Sequence, residues 1–369
     1  MRYKNPIKQI LISARSVWDS PESRTAVRHN FDKMVKCGTL ALGAQIFSSD
    51  TEEKLVPHTC KARPCPSCGH RATLLWQREQ WCALPDVKYA GIVFTMPSEF
   101  WPVFQQNRHL LHDLPKLAAA VIQRWVKLRY GVRVLIMVMP HTFGSLLNFN
   151  AHLHMLVSRG GIEESQGRWV DDITFDKTKL MPMWRFAVVA FLREALNARV
   201  LSSDLSSRDL RTLIADQYRW WSVHIDEFTS KEHFLRYAGR YVRRSPIAQH
   251  RIVLITEREV HFRCKQKKDG KKWWVTVRCS ISEFIAMLAE HVPDRYRHGV
   301  RRFGLLAPRT QARTSAALVT ILKQQKRPRP RRLSWAFSIR RDFGVDPLTD
   351  SKGRPMRWVG RLNAVASGH

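Results

Sequence analysis

Two histidines, His152 and His154, lie one residue apart in the apolar run AHLHMLV. Side chains alternate between the two faces of a β-strand, so a strand through this run places both imidazoles on the same face. Two imidazoles held close together can bind one divalent cation. The spacing therefore predicts a metal site. The alternative is a chance spacing in a chain that contains 15 histidines.

Cysteines gather in and before the segment CKARPCPSC: Cys37, Cys60, Cys65 and Cys68. The last two form a CxxC pattern, whose two-residue gap lets both thiolates face one ion and suits tetrahedral zinc. We predict that the four thiolates form a structural zinc site, with His58 and His70 as competitors for the fourth position. Buried cysteines without a metal are the other interpretation. Disulfides are disfavoured in the cytoplasmic protein that we expect.

Two tyrosines, Tyr237 and Tyr241, lie four residues apart in HFLRYAGRYVRRSPI, a spacing that places them on one face of a helix. A tyrosine hydroxyl is a poor nucleophile at neutral pH because its ordinary pKa is ~10. A cation or nearby guanidinium groups favour the phenolate, and three arginines lie close by in the sequence: Arg240, Arg243 and Arg244. The pattern allows two nucleophiles; a packed aromatic pair is the alternative.

The surrounding sequence predicts strands that position the histidines. VRVLIMVMP and AHLHMLVSRGG read as strands joined by a turn over HTFGSLLNFN, and two glycines close the second strand. This hairpin brings the histidine pair to the middle of a sheet, with KYAGIVFTMP as a further strand ended by proline. His141, at the end of the first strand, and His233, one helical turn before Tyr237, are the alternatives for a third metal ligand, and we favour His141.

Helices and a second hairpin are predicted elsewhere. The segment FQQNRHLLHDLPKLAAAVIQRWVKLRY reads as helical with Pro115 as a kink or break, MPMWRFAVVAFLREALNARV as a long helix, and another helix begins near Ser230. The strands IVLITEREVHFRCK and KKWWVTVRC flank Asp269–Gly270, a dipeptide typical of a hairpin turn.

The charge of the chain predicts a polyanionic partner. Lysine and arginine total 62 against 31 aspartates and glutamates, a formal net charge of +31. Such an excess is self-repulsive unless a polyanion, most often nucleic acid, lies nearby. The basic segment 323–332 is predicted to be an extended arm that binds DNA phosphates through Arg327, Arg329, Arg331 and Arg332. Arg240, Arg243 and Arg244 are also predicted to bind DNA. Tryptophans in KKWWVTVR and RWVKLRY offer stacking surfaces for unpaired bases.

Length and hydropathy bound the organisation of the chain. With 369 residues and 44% hydrophobic residues, the chain is long enough for two or three domains. We predict a zinc-binding and DNA-binding domain over 1–85, a domain over 86–262 that carries the histidines and tyrosines, and a basic region over 263–369 that is strand-rich and then helical. No apolar run reaches the ~18 residues that span a bilayer. We therefore expect a cytoplasmic, nucleoid-associated protein without a membrane partner.

The ordered motifs resemble a known family, the two-tyrosine HUH transposases of the insertion sequence 91 type. The resemblance covers nearly the whole chain and lies in these segments: CKARPCPSC, VFTMPSE, PHTFGSLLNFNAHLHMLVSRGG, YAGRYVRRSPIAQHRI and EFIAMLAEHVPDRYRHGVRRFGLLA. The histidines of the HUH motif fall on His152 and His154, and the tyrosine pair falls on Tyr237 and Tyr241. The implied fold is α+β, a central antiparallel sheet with flanking helices like a ferredoxin or RRM palm, plus a small zinc-binding domain.

The resemblance implies a metal-dependent single-strand DNA endonuclease and strand transferase, with 86–262 as the HUH tyrosine nuclease domain. It would nick and join single-stranded DNA at mobile-element ends and target DNA through 5′-phosphotyrosine intermediates, in rolling-circle-like transposition. Mg²⁺ or Mn²⁺ is implied at the histidines and Zn²⁺ at the cysteines. The covalent bond retains the phosphodiester energy, so ATP is not needed, and the chain indeed lacks a GxxxxGK[ST] motif.

The chain departs from the family at three places. Relatives commonly carry histidine where Asn150 stands, a second cysteine pair where this chain reads QIFSSDTEEK, and a CPxC-like knuckle where it reads DPLTDSKGRPMRW. These losses predict a single zinc ion. The sequence is also compatible with two other functions: a plasmid replication initiator or relaxase with the same chemistry, and a zinc-containing DNA-binding regulator that cuts nothing.

Overall fold

A computed structural model describes residues 5–202, 204, 206–216, 219, 221–268, 271–330 and 334–364. The helices are α1 Pro6–Ser13, α2 Arg15–Trp18, α3 Thr25–Lys36, α4 Pro66–Ala83, α5 Trp101–Gln106, α6 Leu114–Tyr130, α7 Lys177–Asn197, α8 Ser207–Ala215, α9 Lys231–Val242, α10 Ile281–Glu290, α11 Pro308–Ile321 and α12 Trp335–Phe343. The strands are β1 Ala44–Ser48, β2 Glu53–Pro57, β3 Tyr89–Phe94, β4 Val132–Phe143, β5 Phe149–Glu163, β6 Trp169–Val170, β7 Val223–Phe228, β8 Ile252–Ile255, β9 Glu259–Lys268, β10 Lys271–Ser280, β11 Arg301–Gly304 and β12 Arg357–Leu362.

The chain forms two compact units, each assembled from separate segments. The first unit comprises Met1–Leu75, Arg243–Arg295 and Pro330–His369, and the second comprises Trp76–Val242 and Tyr296–Arg329. The predicted domain boundaries near residues 85 and 262 stay a prediction.

The second unit is built on an antiparallel sheet, six-stranded in the described part of the chain. Its strand order is β11-β4-β5-β3-β7, with β6 beside β5. The predicted α+β fold with a central antiparallel sheet and flanking helices is therefore confirmed.

Both faces of this sheet are covered. One face presents side chains such as Ile92, Val138 and Leu153 to a core shared with α6 and α7, where Trp184 is fully buried. The opposite face presents Met137, Met139 and Leu156 to helix α9, which supplies Phe234 and Leu235. Burial on both faces explains why the central strands read as nearly continuous apolar runs.

Strands β4 and β5 are longer than predicted, and the turn between them is shorter. Strand β4, in which Pro140 lies opposite Leu153, continues to Phe143, and β5 begins at Phe149. The prediction that HTFGSLLNFN is all turn was therefore wrong. Strand β11 pairs with β4 only as far as Val138, so no described strand lies beside Pro140 on that edge. Proline lacks the N–H that would bond to such a strand, and it is therefore tolerated here. The two glycines predicted to close β5 lie within it. A Cβ on Gly160 would lie 2.4 Å from the Trp169 ring.

Pro115 begins a helix and does not kink one. Helix α6 starts at Leu114, so proline occupies its first turn, where no intrahelical N–H bond is lost. The chain before it forms the short helix α5 and a 3₁₀ turn over Arg108–His112.

The first unit contains two small antiparallel sheets, of order β12-β1-β2 and β10-β9-β8 in its described residues. Trp18 packs edge-on against Phe31 at a centroid distance of 5.7 Å, and Phe262 of β9 packs against Phe284 of α10. Strands β9 and β10 pair in register as the predicted hairpin, although its turn, 269–270, lies outside the described residues.

The basic segment 323–332 follows helix α11. Its described part from residue 324 to residue 330 has neither helix nor strand, while residues 331 and 332 lie outside the described part of the chain. Among the described residues, no helix combines the length and apolar character needed to cross a bilayer.

Candidate active site and cysteine cluster

Three histidines converge on the face of the sheet that packs against α9. His141 of β4 lies directly opposite His152 of β5, and His154 lies two residues further along β5 on the same face. The ring centroids are 4.9 to 5.5 Å apart. One nitrogen from each ring lies within 4.8 Å of those of the other two. His141, rather than His233, therefore accompanies the predicted pair; His233 is exposed in the first turn of α9.

Hydrogen bonds fix the orientation of two of these rings. His152 Nδ1 lies 2.8 Å from the carbonyl oxygen of Asn150, and His141 Nε2 lies 2.7 Å from the carbonyl oxygen of Tyr241. A carbonyl only accepts, so each of these nitrogens donates a proton, and in the neutral ring the other nitrogen carries the lone pair. Metal-binding histidines are oriented in this way by a second-shell acceptor. The donor set therefore fits a divalent cation.

The two predicted tyrosines reach this cluster from α9. The Tyr241 ring stacks on His154 with centroids 3.6 Å apart and an interplanar angle of 21°. Tyr237, one turn earlier, lies 5.0 Å from Tyr241 between ring centroids. The structure therefore brings the tyrosine pair and the histidines together, with Tyr241 in direct contact and Tyr237 behind it.

A glycine makes room for the inner tyrosine. Tyr237 is 9% exposed, and a Cβ added to Gly91 of β3 would lie 2.7 Å from Tyr237 Cε1 and 3.2 Å from Phe228 Cε2. No real Cβ approaches a carbon that closely, so the ring lies on the bare backbone of residue 91. Glycine at this position thus sets how deeply Tyr237 sits.

Sequence reasoning missed two polar residues beside Tyr237. Asp226 of β7 is the register partner of Gly91, and its Oδ1 lies 3.1 Å from Nε2 of His224, which is exposed. Burial above all, together with the neighbouring Tyr241 and Asp226, raises the pKa of Tyr237 above its ordinary value. The only sequence signal was the alternation in VHIDEF, which puts both polar residues on one face of a strand.

Helix α9 is anchored at its first residue. Lys231 is 5% exposed, and its Nζ donates to the carbonyl oxygens of Trp81 and Leu84, both at 2.9 Å. The same ammonium lies 2.7 Å from Asp86 Oδ1. Burial lowers the pKa of Lys231, while Asp86 opposes this effect. These contacts fix the end of the helix that carries both tyrosines.

The four predicted cysteines form one cluster in the first unit. The Sγ–Sγ distances are 3.7 Å for Cys37–Cys68, 3.6 Å for Cys60–Cys68 and 3.9 Å for Cys37–Cys65. Tetrahedral zinc with ~2.3 Å bonds to sulfur requires sulfur atoms ~3.8 Å apart. The spacing of the four sulfur atoms therefore fits zinc.

Neither competing histidine takes part in the cysteine cluster. His58 Nδ1 lies 3.1 Å from the carbonyl oxygen of Leu42, and its Nε2 lies 3.0 Å from Gln45 Nε2. His70 is exposed on α4. Cys37 occupies the fourth position instead.

The predicted DNA-binding arginines are placed differently from one another. Those that are exposed are Arg240, Arg243, Arg244 and Arg329. Arg327 instead pairs with Asp86 at 2.6 Å, and its guanidinium lies 5.1 Å from the centroid of the Trp81 ring. Arg331 and Arg332 lie outside the described residues.

Comparison with protein families defines the class of the protein. Residues 12–96 match a model described as "Transposase zinc-binding domain", and residues 135–314 match one described as "Putative transposase". The first match includes the whole cysteine cluster, and the second includes the histidines and tyrosines. The protein is a transposase, a DNA-processing enzyme with a zinc-binding domain.

Comparison with individual proteins places it in a family. The chain is 30% identical over 327 residues to the transposase for insertion sequence element IS801 of Pseudomonas savastanoi pv. phaseolicola, covering 86% of this chain and 79% of the relative. It is 27% identical over 301 residues to "Putative transposase y4qJ" of Sinorhizobium fredii, covering 77% and 75%. The chain belongs to the IS91 and IS801 family of transposases, which confirms the resemblance seen in its motifs. No solved structure matches it significantly.

Proposed function

We propose that this transposase is a metal-dependent single-strand DNA endonuclease and strand transferase that acts through 5′-phosphotyrosine intermediates. The observation that carries the proposal is the stacking of Tyr241 on His154 within a cluster of three histidines. A nucleophile beside a cation site is the arrangement needed for attack on a phosphodiester.

His141, His152 and His154 would hold the divalent cation. When bound, such an ion polarises a phosphate oxygen and neutralises charge that develops during displacement. We propose Mg²⁺ or Mn²⁺, in line with the chemistry that the family motifs imply. The bonds from His152 to Asn150 and from His141 to the Tyr241 carbonyl keep the rings oriented without the ion.

Tyr241 is proposed as the first nucleophile. Its hydroxyl oxygen attacks phosphorus, the bond from phosphorus to the 3′ oxygen breaks, and the 3′ oxygen leaves and takes up a proton as a hydroxyl. Tyr241 is half-buried and touches His154, whereas Tyr237 is buried deeper and has a raised pKa. Tyr237 would then accept a strand in the exchange step.

Asp226 is proposed to receive the proton that the tyrosines release. Tyr237 packs beside Tyr241 and against Gly91, the register partner of Asp226, and Asp226 Oδ1 lies 3.1 Å from Nε2 of exposed His224. This chain of groups leads from the first nucleophile to the surface. An Asp226→Asn variant should cleave ~10²-fold more slowly at neutral pH, and the deficit should narrow as the pH rises. The matched control is Glu227→Gln, because Glu227 pairs with Arg159 instead.

The DNA itself is proposed to be single-stranded, at mobile-element ends and at the target. A strand must bend so that one phosphate enters the histidine cluster, and unpaired DNA bends more easily than a duplex. The exposed arginines, including Arg240 and Arg243, would neutralise neighbouring phosphates, so affinity should fall steeply with salt.

Covalent adduct formation tests the proposal. Purified protein is incubated with 5′- and 3′-labelled single-stranded DNA from element ends, with and without Mg²⁺ or Mn²⁺. We expect a metal-dependent adduct in the wild type that is absent from the Tyr237→Phe, Tyr241→Phe double variant. The control is Tyr296→Phe, because Tyr296 is 94% exposed. An adduct in the double variant would remove the tyrosines from the mechanism, and no adduct in any protein would favour a regulator that binds without cutting.

A further inference from the structure

The outward face of the β9–β10 hairpin is basic and centred on a tryptophan. The hairpin segment 259–280 contains five lysines and two arginines, against Glu259 and Asp269. Its inward residues, Val260, Phe262 and Cys264, are fully buried. Residues between them must point the other way.

Trp274 lies at the centre of this outward face. It is the register partner of Lys265, and Thr276 beside it is the partner of Arg263. The Lys265 ammonium lies 5.0 Å and the Arg263 guanidinium 5.2 Å from the centroid of the indole ring. The side chain of Trp274 is nevertheless 46% exposed, so part of its surface is accessible to a ligand.

We infer that this face binds single-stranded DNA, with Trp274 stacking on an unpaired base and Lys265 and Arg263 holding the adjoining phosphates. An aromatic platform flanked by cations is the arrangement that single-strand-binding surfaces use, because every base has a π-face and every linkage a charge. A duplex offers the phosphates but keeps its bases stacked inside. The inference rests on the single-stranded substrate proposed above.

Acidic competitors for these cations are few. Among the described residues on the outward side of β9 and β10, only Glu259 carries a carboxylate. Glu259 lies at the end of the hairpin away from its turn, and its Oε2 lies 2.9 Å from Nε2 of His261. Lys272 and Arg278, on the same side of β10 as Trp274, are also exposed. The positive charge therefore extends along the strand on both sides of the indole, as a nucleic-acid backbone requires.

The neighbouring tryptophan provides a matched control. Trp273 is 41% exposed on the same strand, but it pairs with Gln266 and projects from the opposite face. Loss of either side chain removes a similar exposed indole from the same hairpin. Only Trp274 should matter for binding.

The test measures binding by the full chain carrying Tyr237→Phe and Tyr241→Phe, without added divalent cation, so that cleavage plays no part. The probe is fluorescein-labelled oligo(dT), followed by anisotropy. Adding Trp274→Ala should weaken binding about tenfold, which is ~1.4 kcal/mol, whereas Trp273→Ala should change it less than twofold. Trp274→Phe should restore most of the affinity. Lys265→Gln should lower the slope of log affinity against log salt by about 0.7, as expected for one phosphate contact on a single strand.

A duplex of equal length separates stacking from simple charge attraction. Trp274→Ala should affect duplex binding less than twofold. Three results would each overturn the inference. Trp274→Ala could lower the affinity for single strand and duplex equally, or Trp273→Ala and Trp274→Ala could lower single-strand affinity equally. The third result is an unchanged single-strand affinity of Trp274→Ala in a protein whose melting temperature is also unchanged. Because the protein in this assay lacks both tyrosine hydroxyls, an unchanged affinity of Trp274→Ala would not argue against covalent cleavage. Likewise, a wild-type protein that forms no adduct would not argue against binding by this face.

Discussion

Replacing Gly91 with alanine tests how the sheet positions the inner tyrosine. The new methyl carbon would lie 2.7 Å from Tyr237 Cε1 and 3.1 Å from Cζ. Ordinary carbon contacts begin near 3.4 Å, so the ring must retreat by about 0.7 Å. Overpacking of this kind costs about 1–3 kcal/mol of stability.

The displacement should affect the two proposed chemical steps unequally. A misplacement approaching 1 Å at a reacting group can reduce the rate ~10²-fold. The new methyl group clashes with Tyr237, whereas Tyr241 is held against His154. Adduct formation by the first nucleophile should therefore persist in Gly91→Ala, with only a small loss from the displaced Tyr237 in its proton path. The exchange step that uses Tyr237 should slow by about 10- to 100-fold.

Single-turnover kinetics separate these steps. Adduct formation is followed with a labelled donor strand, and strand exchange is followed by adding a second, unlabelled strand after the first cleavage. Gly360→Ala is the matched control, because Gly360 also lies in a strand and a Cβ there would meet only Ile46 Cδ1 at 3.7 Å. If Gly91→Ala exchanges strands at the wild-type rate, or loses both steps alike, the proposed division of labour between the tyrosines is refuted.

Three further predictions concern the metal sites and the buried phenol. His154→Ala should abolish cleavage but change the affinity for single-stranded DNA by less than about threefold, because the charges that supply this affinity lie elsewhere. The control His250→Ala, at an exposed site, should change neither cleavage nor affinity. Retained cleavage in His154→Ala would contradict the metal assignment. Cys68→Ser should lose bound zinc and lower the melting temperature, whereas Cys82→Ser, outside the cluster, should retain one zinc per chain by metal analysis. Because folding raises the pKa of Tyr237, the neutral phenol contributes to the free energy of unfolding below pH ~10, and this contribution is lost as the pH rises further. In urea unfolding, the free energy of unfolding should therefore fall more steeply at alkaline pH for the wild type than for Tyr237→Phe. An equal fall in both proteins would contradict the burial of this phenol.

The local parts of the site follow from sequence periodicity. A period of two puts His152 and His154 on one face of a strand, and a spacing of four puts Tyr237 and Tyr241 on one face of a helix. The CxxC pattern likewise identifies the core of the cysteine cluster. Each of these inferences needs only residues that are close in the chain.

The remaining parts depend on pairings between distant segments. His141 meets His152 only because the connecting turn spans five residues, 144–148, a register that the apolar pattern alone does not select. Asp226 reaches Tyr237 because β7 pairs with β3, which joins positions 91 and 226 across more than 130 residues of chain. Strand order and register are tertiary properties, and alternating hydrophobicity is compatible with several of them.

The most direct measurement of the central claim is the identity of the tyrosine that becomes linked to DNA. Trypsin cuts after Arg236, Arg240 and Arg243, so it releases Tyr237 in YAGR and Tyr241 in YVR as separate peptides. After a brief single-turnover reaction and nuclease trimming, mass spectrometry should find the nucleotide on YVR, and only in the presence of the divalent cation. Nucleotide found on neither peptide, or found equally when His152 and His154 are alanine, would contradict the account.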